Sequence, residues 1–224
     1  MANPVYSITP FTMLDFPGHT ACIIWFAGCN MRCAYCYNPD IVLGKGQLSY
    51  RAVLDFLDKR RGLLDGVVLS GGECTLHKGL PGLAATIKEK GFRLKIDTNG
   101  ANPALLEQLI SHKLVDYVAL DCKAPAAKYG TVTGINGFRE FEDSLHLLLA
   151  SGMPFEVRTT VHSALLNQGD VAAIQALLEE RRYPGKYYIQ YALNDTTMLK
   201  ELPANSGRLD LAALTGRVPV VERN

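Results

Sequence analysis

The chain lacks an apolar run approaching the roughly 20 residues that span a bilayer, so no transmembrane helix and no membrane partner is expected. It lacks an excess of either charge. Lys+Arg total 23 against 22 Asp+Glu, and a net charge of +1 gives no reason to invoke nucleic acid or an anionic surface. Residues 1–10 lack the basic start and apolar run of a secretory leader. The chain is also longer than the small secreted domains that rely on disulfide frameworks, so its six cysteines are expected to be reduced in a cytoplasmic setting. Repeats, low-complexity tracts and Ser/Gly/Pro linkers are missing too. A single domain over 1–224 is the expectation, with an N-terminal extension at 1–20 and a C-terminal tail at about 201–224. A chain of 224 residues is long enough to bury most of its apolar surface.

What the sequence does have is Cys29-Asn30-Met31-Arg32-Cys33-Ala34-Tyr35-Cys36. Three thiolates this close can grip one soft metal centre from a single loop. A structural zinc site normally wants four ligands, and no fourth Cys or His follows at close spacing; the nearest His is His19. A 4Fe–4S cluster wants a ligand on each of its four irons beyond the bridging sulfides. Three cysteines leave one iron bare, and a bare iron can bind and reduce something from outside. The spacing therefore points to chemistry more than to scaffolding. Cys22, Cys74 and Cys122 are scattered, and Cys22 reads most simply as core.

Short strands rich in β-branched and aromatic residues recur at 21–26, 67–70, 93–98, 117–122, 155–161 and 187–191. Helical patterns lie between them. Ser49 caps one carrying Val53, Leu54 and Leu57. Pro81 opens another, stopped by Gly91. Asn102-Pro103 starts a third, Phe141 to Leu149 forms a fourth ended by Gly152, and Asp170 caps a fifth. These apolar stripes are read as core. Strand–helix alternation implies an α/β fold with a parallel sheet and right-handed crossovers. A closed eight-unit barrel takes about 250 residues, so six units here predict a partial, laterally open (β/α)6 barrel, with an open flavodoxin-type sheet as the alternative. Either places the site at the C-terminal strand ends.

The residues at those ends fit that placement. The first strand runs into Ala27-Gly28-Cys29, where Gly28 lets the backbone turn sharply. Tyr35 lies between two candidate ligands, and its ring must lie near whatever they hold. The second strand ends in Gly71-Gly72-Glu73, two glycines that expose backbone groups and a carboxylate that accepts. The third ends Asp97-Thr98-Asn99-Gly100 and the fourth Asp121-Cys122-Lys123. An amino-acid-type cofactor needs partners for its ammonium and its carboxylate. Lys123 suits a carboxylate, and Asp97 suits ligand hydroxyls, an ammonium or a cation. Asp97, Thr98 and Asp121 together are a candidate monovalent-cation set. Within the fifth strand Arg158 is read as facing either the cofactor carboxylate or a partner protein, since an inward charge needs a partner. His162 at its end is a candidate for cofactor contact or proton handling, and Gln190 on the sixth strand for a hydrogen bond to the bound molecule.

Cys-x3-Cys-x2-Cys with an aromatic before the last cysteine resembles the cluster loop of radical S-adenosylmethionine enzymes, and Gly71-Gly72-Glu73 resembles the motif by which that family holds the methionine amino group. Cys74 stands where the family commonly has proline. The resemblance implies that Tyr35 packs on the adenine, that the hydroxyls open to Asp97 are those of the ribose, and that Gln190 hydrogen-bonds the adenosine. Thr12-Met13-Leu14-Asp15-Phe16-Pro17-Gly18, residues 117–125, Arg158 to His162 and Cys36-Tyr37-Asn38-Pro39-Asp40 are most similar to activating proteins of anaerobic (class III) ribonucleotide reductase, although Tyr37 stands where many relatives have His. That likeness implies an activase. A reduced 4Fe–4S cluster, fed by a flavodoxin- or ferredoxin-like donor, would cleave S-adenosylmethionine to methionine and a 5′-deoxyadenosyl radical. The radical would take hydrogen from a glycine of a partner glycyl radical enzyme. Three other readings stay open: the same chemistry on another glycyl radical enzyme or a small molecule, as in deazaguanine-forming enzymes; a non-catalytic electron carrier; and a zinc-binding interaction module.

Overall fold

The computed structural model describes residues 3–223. Its strands are β1 Val5–Thr12, β2 Ala21–Phe26, β3 Gly66–Gly71, β4 Arg93–Thr98, β5 Tyr117–Asp121, β6 Phe155–Val161, β7 Tyr187–Tyr191 and β8 Val220–Glu222. They form one sheet in chain order, with β1 antiparallel to β2 and every later pair parallel. All six expected strands are present. Two more appear inside the expected extension and tail, where β1 and β8 become the sheet's edges. No pairing joins those two edges among the described residues, so the sheet is open.

The helices are α1 Pro39–Leu43, α2 Tyr50–Asp58, α3 Leu80–Glu89, α4 Pro103–Ser111, α5 Ala126–Thr133, α6 Phe138–Ser151 and α7 Gln168–Glu180. Their starts follow from short polar caps. Ser49 accepts the Ala52 amide and Asn102 the Leu105 amide. For α7 the cap is Asn167 rather than the expected Asp170: Asn167 accepts from the Asp170 amide, and the Asp170 carboxylate accepts from the Asn167 amide in return. Gly152 ends α6 in the left-handed conformation, with φ 67°. None of the described helices is long and apolar enough to cross a membrane.

Side chains alternate across each strand, and the two faces of the sheet divide the work. Ile24, Phe26, Leu69, Leu94, Ile96, Leu120 and Val157 face the helices in the main core, together with Val53, Leu83, Leu106, Leu145 and Ile174 from those helices. Burying each such side chain stabilises the fold by about 1.5–3 kcal/mol. The inner face is lined differently. A small apolar plug of Phe16, Ala21, Ile23 and Val68, with Trp25 and Tyr117 against it, fills one part. Gly66 is required beside it, because a Cβ there would lie 2.8 Å from the Phe16 ring. The remainder of the inner face is polar and carries the candidate site.

Candidate active site

Trp25, Ser70, Asp97, Asp121, Arg158 and Gln190 come from the six parallel strands β2 to β7, yet all line one pocket with Cys29, Cys33, Cys36 and Tyr35. The sheet therefore curls around a single cavity at its C-terminal edge. Gly71, Gly72, Glu73, Thr98 and Lys123 line it too. His162 does not. It is fully buried, its Nδ1 accepts the Ala164 amide (3.2 Å), and its carbonyl accepts the amides of Leu165 and Leu166 (2.8 and 2.9 Å). The structure thus does not bring His162 to the pocket lining; its Nδ1 and carbonyl hold the turn after β6, and its buried Nε2 has no hydrogen-bond partner.

The cysteine loop is shaped by backbone contacts. Gly28 turns with φ 85°, and its amide donates to the Ile41 carbonyl (2.8 Å). The Gly72 amide donates to Phe26 O and the Glu73 amide to Gly28 O, both at 2.9 Å, so β3 continues alongside the root of the loop. Any Cβ on Gly71 would strike the Phe26 backbone, and any on Gly72 the Gly28 carbonyl. The paired glycines are there because two backbones touch. Farther along, the Arg32 amide donates to Thr133 O (2.7 Å) and its Nη1 to the carbonyls of Cys29 and Met31 (2.7 and 2.8 Å). Asn99 Nδ2 donates to Asn30 Oδ1 (2.9 Å). From the far end of the chain, the amides of Leu199 and Lys200 donate to Cys36 O and Ala34 O (2.8 and 3.2 Å). Arg32, Asn99 and the 199–200 strap escaped sequence reasoning, since contacts to carbonyls leave no side-chain pattern. Tyr37, Asp15 and Thr160 also line the pocket unforeseen in that role.

All three loop thiols are free. Burial pushes the Cys29 thiol up to about 11 and raises Cys33 as well, so a metal would have to displace their protons. No group of three or more His, Cys, Asp or Glu converges tightly enough to hold a single ion among the described residues. A cluster makes no such demand, because each thiolate takes a different iron.

Glu73 is buried and well bonded. Its Oε1 accepts from the Thr75 amide (3.1 Å), Thr75 Oγ1 (2.6 Å) and Thr98 Oγ1 (2.9 Å), and its Oε2 from the Asn99 amide (2.8 Å). Burial still raises its pKa despite these donors. With one bond on Oε2, that oxygen keeps acceptor capacity for a ligand.

The second half of the pocket is a charge array. Arg158 Nε donates to Asp121 Oδ1 (2.8 Å), and its Nη2 lies 3.5 Å from Asp97 Oδ2. Lys123 Nζ donates to Asp121 Oδ2 (3.0 Å), Ser70 Oγ to Asp97 Oδ2 (3.2 Å), and Lys95 pairs with Asp97. Burial pushes Asp121 up, but Arg158 and Lys123 outweigh it and hold the carboxyl down at about 2. Asp97 is likewise low despite burial, because of Lys95 and Arg158. Burial pulls Lys123 down, yet Asp121 holds it well above its ordinary value. These pairings bear on the expected monovalent-cation site. Asp97 and Asp121 already face fixed cations, and Thr98 Oγ1 donates to Glu73 Oε1 (2.9 Å) and accepts the Gly100 amide (3.1 Å), so each member of the set has partners within the protein. Lys123 and Arg158 are the two cations that line the pocket here, both paired with Asp121.

The profile of the Radical SAM superfamily matches residues 23–202. The chain belongs to this superfamily. A protein of Methanocaldococcus jannaschii, provisionally named a glycyl-radical enzyme activating enzyme, is 40% identical over 127 residues, 56% of this chain and 52% of that protein. The pyruvate formate-lyase-activating enzyme of Clostridium pasteurianum is 32% identical over 165 residues, 70% of this chain and 68% of its own. Similarity is not confined to activases: a 7-carboxy-7-deazaguanine synthase of Neisseria meningitidis is 32% identical over 134 residues, 57% of this chain and 58% of that enzyme. The structure of Streptococcus suis SuiB bound to precursor peptide SuiA shares the fold, with TM-score 0.71 at 12% identity, over 90% of this chain and 48% of that one. The match thus spans about half the length of the Methanocaldococcus protein and of SuiB.

Radical SAM membership implies a 4Fe–4S cluster and S-adenosylmethionine, and the residues here fit both. Three unpaired thiols sit on one loop against the pocket. The hydroxyl of Tyr35 is buried at its wall without a hydrogen-bond partner, and the cations Lys123 and Arg158 line it as well.

Proposed function

We propose that this chain is a glycyl radical enzyme activase, and that its partner is an anaerobic (class III) ribonucleotide reductase. The observation that carries the reading is that three free cysteines and the cations Lys123 and Arg158 face the same pocket of an open sheet. The relatives named as glycyl-radical enzyme activating and pyruvate formate-lyase-activating proteins support the activase reading. Thr12 to Gly18, residues 117–125 and 158–162 support the particular partner by their resemblance to reductase activators. A flavodoxin- or ferredoxin-like protein is the proposed electron donor.

Cys29, Cys33 and Cys36 would hold three irons of the cluster, and with S-adenosylmethionine at the fourth the pair supplies reductive cleavage to a carbon-centred radical. The protein's part is positioning. Lys123 and Arg158 receive the carboxylate of the methionyl group. The exposed backbone at Gly71-Gly72 and the spare capacity of Glu73 Oε2 receive its ammonium. Tyr35 packs against the adenine, while Gln190 and Asp97 take polar groups of the adenosine. Charges shielded from water interact more strongly than in water, so the methionyl group is held in place. The sheet is open, with no pairing between β1 and β8 among the described residues, and this supports entry of a loop of a large partner over a small substrate.

The test is anaerobic incubation of the loaded protein, S-adenosylmethionine and a reductant with a class III reductase. A glycyl radical signal on the reductase, absent with Cys33→Ala, is expected. No radical on the reductase, with turnover of a small molecule instead, would overturn the activase reading.

A further inference from the structure

Beneath the pocket, the inner face of β6 carries a third carboxylate. Glu156 lies two residues before Arg158 on the same strand face and is almost wholly buried. Its main partner comes from the other end of the chain. Arg223, next to β8, donates Nη1 to Oε1 (2.7 Å) and Nη2 to Oε2 (2.8 Å). Its guanidinium stacks on the Tyr188 ring at 3.7 Å, and its amide donates to Ile189 O (2.8 Å). The Tyr117 hydroxyl adds one more bond to Glu156 Oε2 (3.1 Å). Arg158 stands between this pair and the pocket. Its Nη1 is 3.9 Å from Glu156 Oε1, while it sits 2.8 Å from Asp121 and 3.5 Å from Asp97. Three carboxylates, Glu156 buried and Asp97 and Asp121 half-buried, thus surround one guanidinium, and Arg223 neutralises the one that does not line the pocket.

We propose that Arg223 is a positioning residue for the site. By holding Glu156, it keeps Arg158 committed to Asp121 and Asp97 and so to the bound cofactor. This rests on the reading that Arg158 faces the ligand. A buried carboxylate left without its cation is costly, and without Arg223 only Tyr117 remains on Glu156. Arg158 is the cation next to it, and turning toward Glu156 draws the guanidinium down and away from the ligand. The C-terminal strand therefore sets the aim of a pocket residue without touching the cofactor, and the chain beyond 201 acquires a task.

The experiment uses the full chain loaded anaerobically with iron and sulfide, and reads the dissociation constant for S-adenosylmethionine by calorimetry alongside the thermal midpoint. Arg223→Met is expected to weaken binding about tenfold, the scale of one misdirected charge-assisted hydrogen bond. Glu156→Gln alone is expected to bind as the unaltered protein does, and Arg223→Met combined with Glu156→Gln to restore binding. The double variant has lost more native contacts than the single one, so recovery reports removal of the competing charge and not repair of packing. Unchanged binding in Arg223→Met, or weakening that persists in the double variant, overturns the proposal. If Arg223→Met does not fold, Arg223→Gln keeps a donor on Glu156 without the charge and carries the same comparison. Arg158→Lys separates the two layers. Binding indifferent to it removes the reading of Arg158 and the proposal together, whereas binding sensitive to it but indifferent to Arg223→Met removes the positioning role alone.

Discussion

The two halves of the pocket are built by opposite means. On the β2–β3 side, the cysteine loop is held by backbone hydrogen bonds and by glycines that let two chains touch, with Arg32 as its one charged brace. On the β4–β6 side, position is set by paired ions, Lys95 buried and Asp97, Asp121, Lys123 and Arg158 half-buried. The first half is a matter of shape and tolerates no added atoms. The second is a matter of balance and tolerates no lost charge. A loop that must present three soft ligands to an inorganic cluster needs fixed geometry. A wall that orients a zwitterionic methionyl group needs fixed field.

The sharpest way to break this comparison is to remove a ligand. Cys33→Ala should abolish cluster assembly while leaving the charge array folded. Bound iron and the visible absorbance of the loaded protein check the first, and the thermal midpoint the second. Next in size, Gly72→Val should displace the loop from β3, because its Cβ falls on the Gly28 carbonyl. Overpacking of this kind costs about 3 kcal/mol, readable in a denaturant midpoint together with reduced iron content. Lys123→Ala should do the converse. The cluster should assemble fully, but S-adenosylmethionine binding should weaken by about tenfold or more with the loss of a charge-assisted bond, as calorimetry would show.

A smaller effect is expected with pH. The Asp121 carboxyl is held down at about 2, so it contributes stability above its ordinary range near about 4 that is lost as pH falls through about 2. A thermal-midpoint gap between the unaltered protein and Asp121→Asn should therefore close across that window, while the Gly72→Val gap should not. Smallest is Ser49→Ala, which removes the cap of α2 far from either half. It should cost about 1 kcal/mol and leave iron content and cofactor binding unchanged.

Much of the pocket was legible because it is made of residue types with few other uses in such places. Three crowded cysteines, two glycines and a carboxylate at a strand end, and charges at successive strand ends all announce themselves. The six central strands were legible for a related reason, being apolar, short and bounded by polar or glycine-containing stretches. β1 was missed because Pro10 interrupts it and its register against β2 shifts twice, between Val5 and Ser7 and between Thr9 and Thr12. β8 has three residues and little local signal; it is docked by pairing with β7 and by Arg223 reaching Glu156 across 67 positions. Arg32, Asn99 and the 199–200 strap act on carbonyls and side-chain amides of the loop, contacts that sequence does not mark. His162 falls outside the pocket lining, and a histidine at a strand end reads the same whether it faces a ligand or caps a turn.

The most direct test of the central claim is electron paramagnetic resonance on anaerobically reconstituted, reduced protein, with and without S-adenosylmethionine. A reduced-cluster signal that changes when the cofactor is added is expected, since three cysteines leave one iron free to receive it. A signal indifferent to the cofactor, or a protein that takes up zinc and no iron, would contradict the assignment of Cys29, Cys33 and Cys36 to an open cluster.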